Sequence, residues 1–277
     1  MDDLKYWVGL SHWEGFGRKR LEFLLKNLES VKKIWEAGSQ LNPKWANNLD
    51  LDKEIMRLER YQIRAITIED KRYPILLKET DFAPFILYIK GSIEAINQPG
   101  LTVIGTRKMT EYGRKVTASL VSRLVKKLTI VSGLARGVDG WAHRVCLGNG
   151  GKTVAVLGHG LERVYPPENR PLAEEILQRG GALVSEFPLD YPLNKLNFPQ
   201  RDRILAGLTL GTLVIEGGEK SGTKITAGFA ADYGREVFCV PGPIDSPTAA
   251  GPALLIQQGA KLVTKVEDIW EELKLDS

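Results

Sequence analysis

The sequence predicts an α/β protein in which a doubly wound, mostly parallel sheet follows a small all-helical unit. Three observations predict this. Residues 1–65 space their apolar side chains at helical intervals and hold little strand signal. From about residue 100, short β-branched runs alternate with amphipathic stretches. Each run is about five residues, nearly all apolar, and ends at Gly, Ser or an acidic residue, as strands buried on both faces do.

In chain order, the helical unit carries Tyr6, Trp7 and Leu10, then Leu21, Leu24, Leu25 and Leu28, then Val31, Ile34 and Trp35 on successive apolar faces. Between the first two clusters, Gly15-Phe16-Gly17 precedes Arg18, Lys19 and Arg20. That turn resembles the hairpin of helix-hairpin-helix modules, where glycines let backbone amides approach a phosphate. One Gly-x-Gly turn is a weak motif, and a tight helix–helix turn with a solvated basic start to the next helix is the reading expected of it. "AITIEDKRYPILL" and "PFILYIKG" read as short strands around a Pro-punctuated turn, added at the sheet's edge. Six core strands follow in "LTVIG", "LTIVSG", "KTVAVLG", "ALVSEF", "GTLVIEG" and "REVFCVPG". The organisation expected is a helical unit over 1–65 and a sheet unit over 66–277.

Composition bounds the function class. Hydrophobic content of 43% and charged content of 26% are ordinary for a globular protein, and net charge is only +4. Such a mildly basic chain is compatible with nucleic acid without demanding it. Cys146 and Cys239 lack partners at metal or redox spacing and read as reduced core residues. The amino terminus carries acid where a secretory signal carries base, and no apolar run suits a membrane span. A cytoplasmic protein without a membrane partner is expected.

In open α/β sheets ligands bind beyond the carboxyl ends of the strands, where helix N-termini present backbone N–H groups. After the first core strand come Gly105, Thr106 and Arg107: a close approach, a hydroxyl and a bidentate fork, suited to one phosphate. Ser132 and Gly133, with Arg136 behind them, repeat the arrangement, and Ser221-Gly222-Thr223 does so again, with Thr223 placed to cap its helix. Three such seats at one end of a sheet suggest a polyanion or a nucleotide with several phosphates. Tyr165 and Phe198, on proline-rich loops at the same edge, are candidates for stacking on bases, and Asn169 lies beside Tyr165. Trp13, Trp35 and Trp141 read as core.

Other chemistries lack their residues. No Gly-x-Gly-x-x-Gly follows the first core strand and no P-loop occurs, so neither NAD nor ATP is expected. Asp139 and His143 share a helical face without further ligands nearby, so a local hydrogen bond between them is expected and no metal. None of the three histidines sits in a nucleophile–base pair.

The series "VIGTRKMTEYG", "VSGLARGVDGWAH", "VLGHGLERVYPPEN", "FPQRDRILAGL", "VIEGGEKSGTKITAGFAADYGREVFCVPG" and "SPTAAGPALLIQQGA" resembles the DNA processing protein A (DprA/Smf) family. The resemblance implies an extended Rossmann-like domain after a sterile-alpha-motif-like (SAM-like) helical one. It also implies a homodimer that binds single-stranded DNA, protects incoming strands in natural transformation and loads the RecA recombinase, with no cofactor and no catalytic residue. The DNA-facing set so implied is Gly105, Thr106, Arg107, Ser132, Gly133 and Arg136, joined by Arg201, Arg203, Ser221, Gly222 and Thr223. Where the family usually has Arg-Asn-Arg, this chain has Arg201-Asp202-Arg203, placing a carboxylate beside the expected contacts. Many members carry a C-terminal winged-helix domain, and the sequence ending in "VEDIWEELKLDS" implies a form without it.

"EGGEKSGT" also resembles the Pro-Gly-Gly-x-Gly-Thr-x-x-Glu signature of nucleoside-monophosphate phosphoribohydrolases, the enzyme alternative. The glutamate one turn after the threonine is missing, and Glu216 stands where the proline would. Acid–base work by Glu216 would need a positioned partner. A nucleotide-binding protein without a DNA role is the other alternative.

Overall fold

The computed structural model describes residues 3–41 and 49–275. Helices α1 (Leu4–Ser11), α2 (Arg18–Leu28), α3 (Val31–Leu41) and α4 (Leu51–Arg60) come first. Strand β1 (Ile63–Thr67), the helical turn α5 (Ile75–Lys78), β2 (Ile86–Gly91) and the turn α6 (Ile93–Ile96) follow. Then strand and helix alternate: β3 (Gly100–Ile104), α7 (Glu111–Leu124), β4 (Thr129–Ser132), α8 (Val138–Gly148), β5 (Thr153–Val156), α9 (Arg170–Gln178), β6 (Ala182–Ser185), α10 (Asn197–Gly207) and β7 (Gly211–Val214). The chain ends through α11 (Thr223–Asp232), β8 (Glu236–Cys239), α12 (Ala250–Gln257), β9 (Lys261–Leu262) and α13 (Glu267–Glu272).

All six core strands expected from the apolar runs form, and β3 to β7 are buried throughout. The sheet order is β1-β2-β6-β5-β4-β3-β7-β8-β9. From β6 to β9 every pairing is parallel, while β1 and β2 add antiparallel at one edge. The expected edge strands are therefore present, but "PILL" is a helical turn after Pro74 rather than extended chain. Two-residue β9 at the far edge is too short to have left a periodic signal.

The parallel part begins in mid-sheet. After β3 it steps through β4, β5 and β6 to one side, then returns to β7, β8 and β9 on the other. The reversal between β3 and β7 opens a crevice beyond the strand ends, the usual ligand position in such sheets.

Helices α1 to α4 bury their apolar stripes against β1 and β2 in one continuous core. Phe85 anchors the contact: its ring centre lies 6.1 Å from that of Trp7 and meets Phe16 edge-on at 5.7 Å. A hydrogen bond of 2.6 Å joins the Ser11 hydroxyl to that of buried Tyr88 in β2. Both cysteines are buried, which pushes each thiol up to about 12. Trp35 is core as expected, whereas Trp13 and Trp141 are half-buried. Among the described residues no helix is long and apolar enough to cross a membrane.

Candidate nucleic-acid interface

The loops after β3, β4 and β5 interlock with the start of α10. Gly137 adopts φ +76° against the β3 loop, and a Cβ there would lie 2.1 Å from the Thr106 carbonyl oxygen. Only glycine permits that approach. The Val138 N–H then donates to the Thr106 oxygen at 3.2 Å. Leu134, in the same turn, is held at φ 56°, a conformation rare outside glycine. The buried Asn169 amide secures it by donating to the Leu134 oxygen at 2.9 Å and the Ala135 oxygen at 3.3 Å.

On this scaffold Arg107, Gly133, Arg136, Tyr165 and Phe198 line one shallow depression. Arg107 and Tyr165 are exposed and Phe198 is half-buried. The Arg107 guanidinium stands 5.0 Å from the Phe198 ring centre. Arg136 meets the Glu168 carboxylate, and with both side chains about half exposed, at 55% and 48%, water screens the pair. Hydrogen bonding to Arg136 holds Glu168 below the usual carboxylate range. A surface pair of this kind yields readily to a phosphate that offers Arg136 more charge. The depression thus offers two guanidiniums and two aromatic faces to a ligand carrying phosphates and bases.

Several expected contacts turn inward instead. Arg201 is buried, with Nε 3.0 Å from Asp202 and Nη1 donating to the Val156 oxygen at 3.2 Å. Its guanidinium runs beneath Gly133, where a Cβ would lie 1.4 Å from Nη1, and reaches 5.9 Å from the Phe198 ring centre. Arg203 is paired with Glu186 in a mostly buried ion pair. Burial raises both Glu186 and Asp202, the latter up to about 6 against the pull of Arg201. These arginines answer the buried carboxylates Asp202 and Glu186, so Arg201 and Arg203 support the site from below rather than face solvent.

Ser132 is likewise fully buried and donates to the Val103 oxygen at 2.6 Å, which ties β4 to β3. Gly133 leaves room for Arg201 beneath it while lining the depression, so of the second expected seat Ser132 lies inside and Gly133 and Arg136 remain at the depression. Asn169 is buried and orders the loop, its side-chain oxygen accepting from exposed Arg144 at 3.2 Å. Asp139 and His143 do not pair: His143 bonds Thr153 at 2.7 Å, and burial drives its pKa down to about 3. Asp139 instead faces Arg201 and the backbone amides of Ala135, Gly133 and Gly105, its carboxyl raised by burial.

Across the crevice, buried Glu216 occupies the N-terminus of α7. Its carboxylate accepts from the Thr110 N–H at 3.0 Å, from the Thr110 hydroxyl, and from the Thr248 hydroxyl at 3.2 Å. A Cβ at Gly113 would lie 2.2 Å from that carboxylate. Glu216 also links the loops through its carbonyl, which accepts from the Thr106 N–H at 2.8 Å. Thr223 does not cap α11: it is the helix's first residue, buried, with its hydroxyl unpartnered. The Ser221 hydroxyl accepts from the Thr223 N–H at 3.3 Å, and Ser221 and Gly222 remain accessible. They follow β7 and do not line the depression holding Arg107.

The Gly15-Phe16-Gly17 turn has spent much of its basic character internally. Arg18 donates to Glu22 and to the carbonyls of Lys78 and Thr80, and Arg20 lies over the Trp13 ring at 4.4 Å. No group of three or more His, Cys, Asp or Glu residues suited to a metal occurs among the described residues.

Residues 64–274 match the family described as DNA recombination-mediator protein A. The chain is 42% identical over 225 residues to protein Smf of Escherichia coli, covering 81% of this chain and 60% of that protein. It is also 42% identical to DNA processing protein DprA of Bacillus subtilis, over 76% of this chain and 71% of that one. It thus spans less than two thirds of the Escherichia coli relative's length. Among solved structures, DprA of Streptococcus pneumoniae superposes with a TM-score of 0.76 at 37% identity, covering 83% of this chain and 80% of that one. A structure described as giving insight into single-stranded DNA binding by DprA of Helicobacter pylori gives 0.69 at 27% identity, over 77% of this chain and 96% of that chain.

Proposed function

Since the chain belongs to the DNA recombination-mediator protein A family, we propose that it binds single-stranded DNA through the strand-end depression and delivers it for recombination. The observation carrying this reading is the gathering of Arg107, Arg136, Tyr165 and Phe198 around one depression. Exposed guanidiniums meet phosphates without regard to sequence, and aromatic faces accept any base. That combination suits a strand whose sequence is not read.

Arg107 and Arg136 are the phosphate contacts, and Tyr165 and Phe198 the stacking faces. Gly105, Thr106 and Gly133 shape the loops that carry them. Ser221 and Gly222 supply a further phosphate position across the crevice. Arg201, Arg203, Ser132, Asn169 and Thr223 hold this frame from inside. Protection of incoming strands in natural transformation, loading of RecA and homodimerisation rest on family membership. The protein acts by binding and not by turnover. Glu216, the base of the enzyme alternative, is tied by its carboxylate to Thr110 and Thr248 and serves the frame of the crevice.

A gel-shift titration with oligo-dT, followed by a RecA strand-exchange assay, tests this. Binding that strengthens with length and weakens steeply with salt is expected. Incubation with nucleoside monophosphates should release no free base. Detectable base release together with length-independent binding would replace this reading with the enzyme alternative.

A further inference from the structure

The depression is short, and the charge beside it continues onto a helical face that no expectation included. Gly137 packs on Thr106 and Arg107, so α8 starts directly beneath the β3 loop. One turn along α8 is Trp141, whose indole N–H donates to the Arg114 carbonyl of α7 at 3.0 Å. The Arg114 guanidinium then lies over the same indole at 4.4 Å from its ring centre. A further turn along, Arg144 folds back and donates to the Gly140 oxygen at 3.3 Å and the Asn169 side chain at 3.2 Å. Lys108 and Lys115 stand exposed beside them.

The charge balance of this face is one-sided. Arg107, Lys108, Arg114, Lys115 and Arg144 are exposed, and none is joined to a carboxylate by an ion pair among the described residues. Against them stands Glu111, exposed in the first turn of α7, while Asp139 is buried towards Arg201 and Glu168 is engaged by Arg136. Arg114 and Arg144 are also fixed in place, one by an aromatic face and one by acceptors, which lowers the entropy lost on gripping an anion.

We propose that the α7–α8 face is a rail for the backbone of the strand leaving the depression, with Arg114, Lys115 and Arg144 as its phosphate contacts. This rests on the single-stranded DNA reading above and extends it. The occupant is a continuation of the same polynucleotide because the face is contiguous with Arg107 and bears its complementary charge. The rail's contacts are to phosphates, matching the charge of Arg114, Lys115 and Arg144.

The test compares the parent, Arg107→Ala and a triple variant (Arg114→Gln, Lys115→Gln, Arg144→Gln) on two oligo-dT lengths. A short probe of about 5 nucleotides fills the depression alone, and a long one of about 25 also reaches the rail. The triple variant should bind the long probe about tenfold or more weaker, its salt slope shallower by roughly 2 for three lost contacts. Its affinity for the short probe should match the parent, and Lys115→Gln alone, outside the Arg114–Trp141 and Arg144–Asn169 contacts, should weaken only the long probe with an unchanged melting temperature. Equal affinity of parent and triple variant for the long probe overturns the rail, as does equal loss on both probes. If Arg107→Ala leaves both lengths unchanged, the depression reading itself fails, a separate outcome.

Discussion

The Arg107 guanidinium and the Phe198 ring, which come from opposite ends of the site's sequence, lie 5.0 Å apart at the mouth of the depression. Each supplies what the other lacks. In the proposed function the arginine supplies charge for a phosphate and the ring a face for a base.

Removing the charge should therefore weaken binding without altering preference. Arg107→Ala is expected to cost about 1–2 kcal/mol in oligo-dT affinity, similar across sequences, with a shallower salt slope. Fluorescence anisotropy at several salt concentrations measures this, and parent-like affinity would deny Arg107 its role.

Phe198→Ala removes a different contribution. Stacking on a base is worth about 1–3 kcal/mol, and that loss should persist at high salt where the Arg107 effect fades. A Phe198→Ala defect that vanished with salt would mark the ring as a mere prop for Arg107.

Gly133→Ala tests the packing beneath the site. The new methyl would sit 1.4 Å from Arg201 Nη1, so the buried guanidinium must leave its carboxylate or the loop must move. Breaking a buried pair costs about 3–5 kcal/mol, which urea denaturation would register. Parent-like stability would mean that Arg201 is free to relocate.

Asp202 gives the fold a pH dependence. Its folded pKa, about 6, lies above the unfolded carboxylate value of about 3.9, so between these values the folded state holds the proton more tightly. This group's contribution is thus greatest at acid pH and is lost as pH rises towards neutrality. The difference corresponds to about 3 kcal/mol. Relative to the parent, Asp202→Asn should gain stability as pH climbs from about 4 to about 7. Parallel stability–pH profiles would show that Asp202 ionises normally in the fold.

Strand positions were legible because five-residue apolar runs carry burial on both faces directly in their composition. Arg107 and Phe198 were legible for a related reason, since strand ends are where such sheets place ligands. What stayed hidden was direction. Ser132 and Arg201 occupy the same sequence context as groups that face solvent, but backbone acceptors at Val103 and Val156 draw them inward. Those acceptors are 29 and 45 residues away in the chain, beyond the reach of local pattern. Arg114 and Trp141 were missed similarly, because their stacking exists only once α7 lies beside α8.

Glu216 bears on selectivity. Its carboxylate is tethered at the N-terminus of α7, the kind of helix end that otherwise attracts an anion. To enter, a free mononucleotide would have to evict a charge that has nowhere else to go. In the proposed function, a polymer gripped at the rim meets no such competitor, so the depression favours long strands over free mononucleotides.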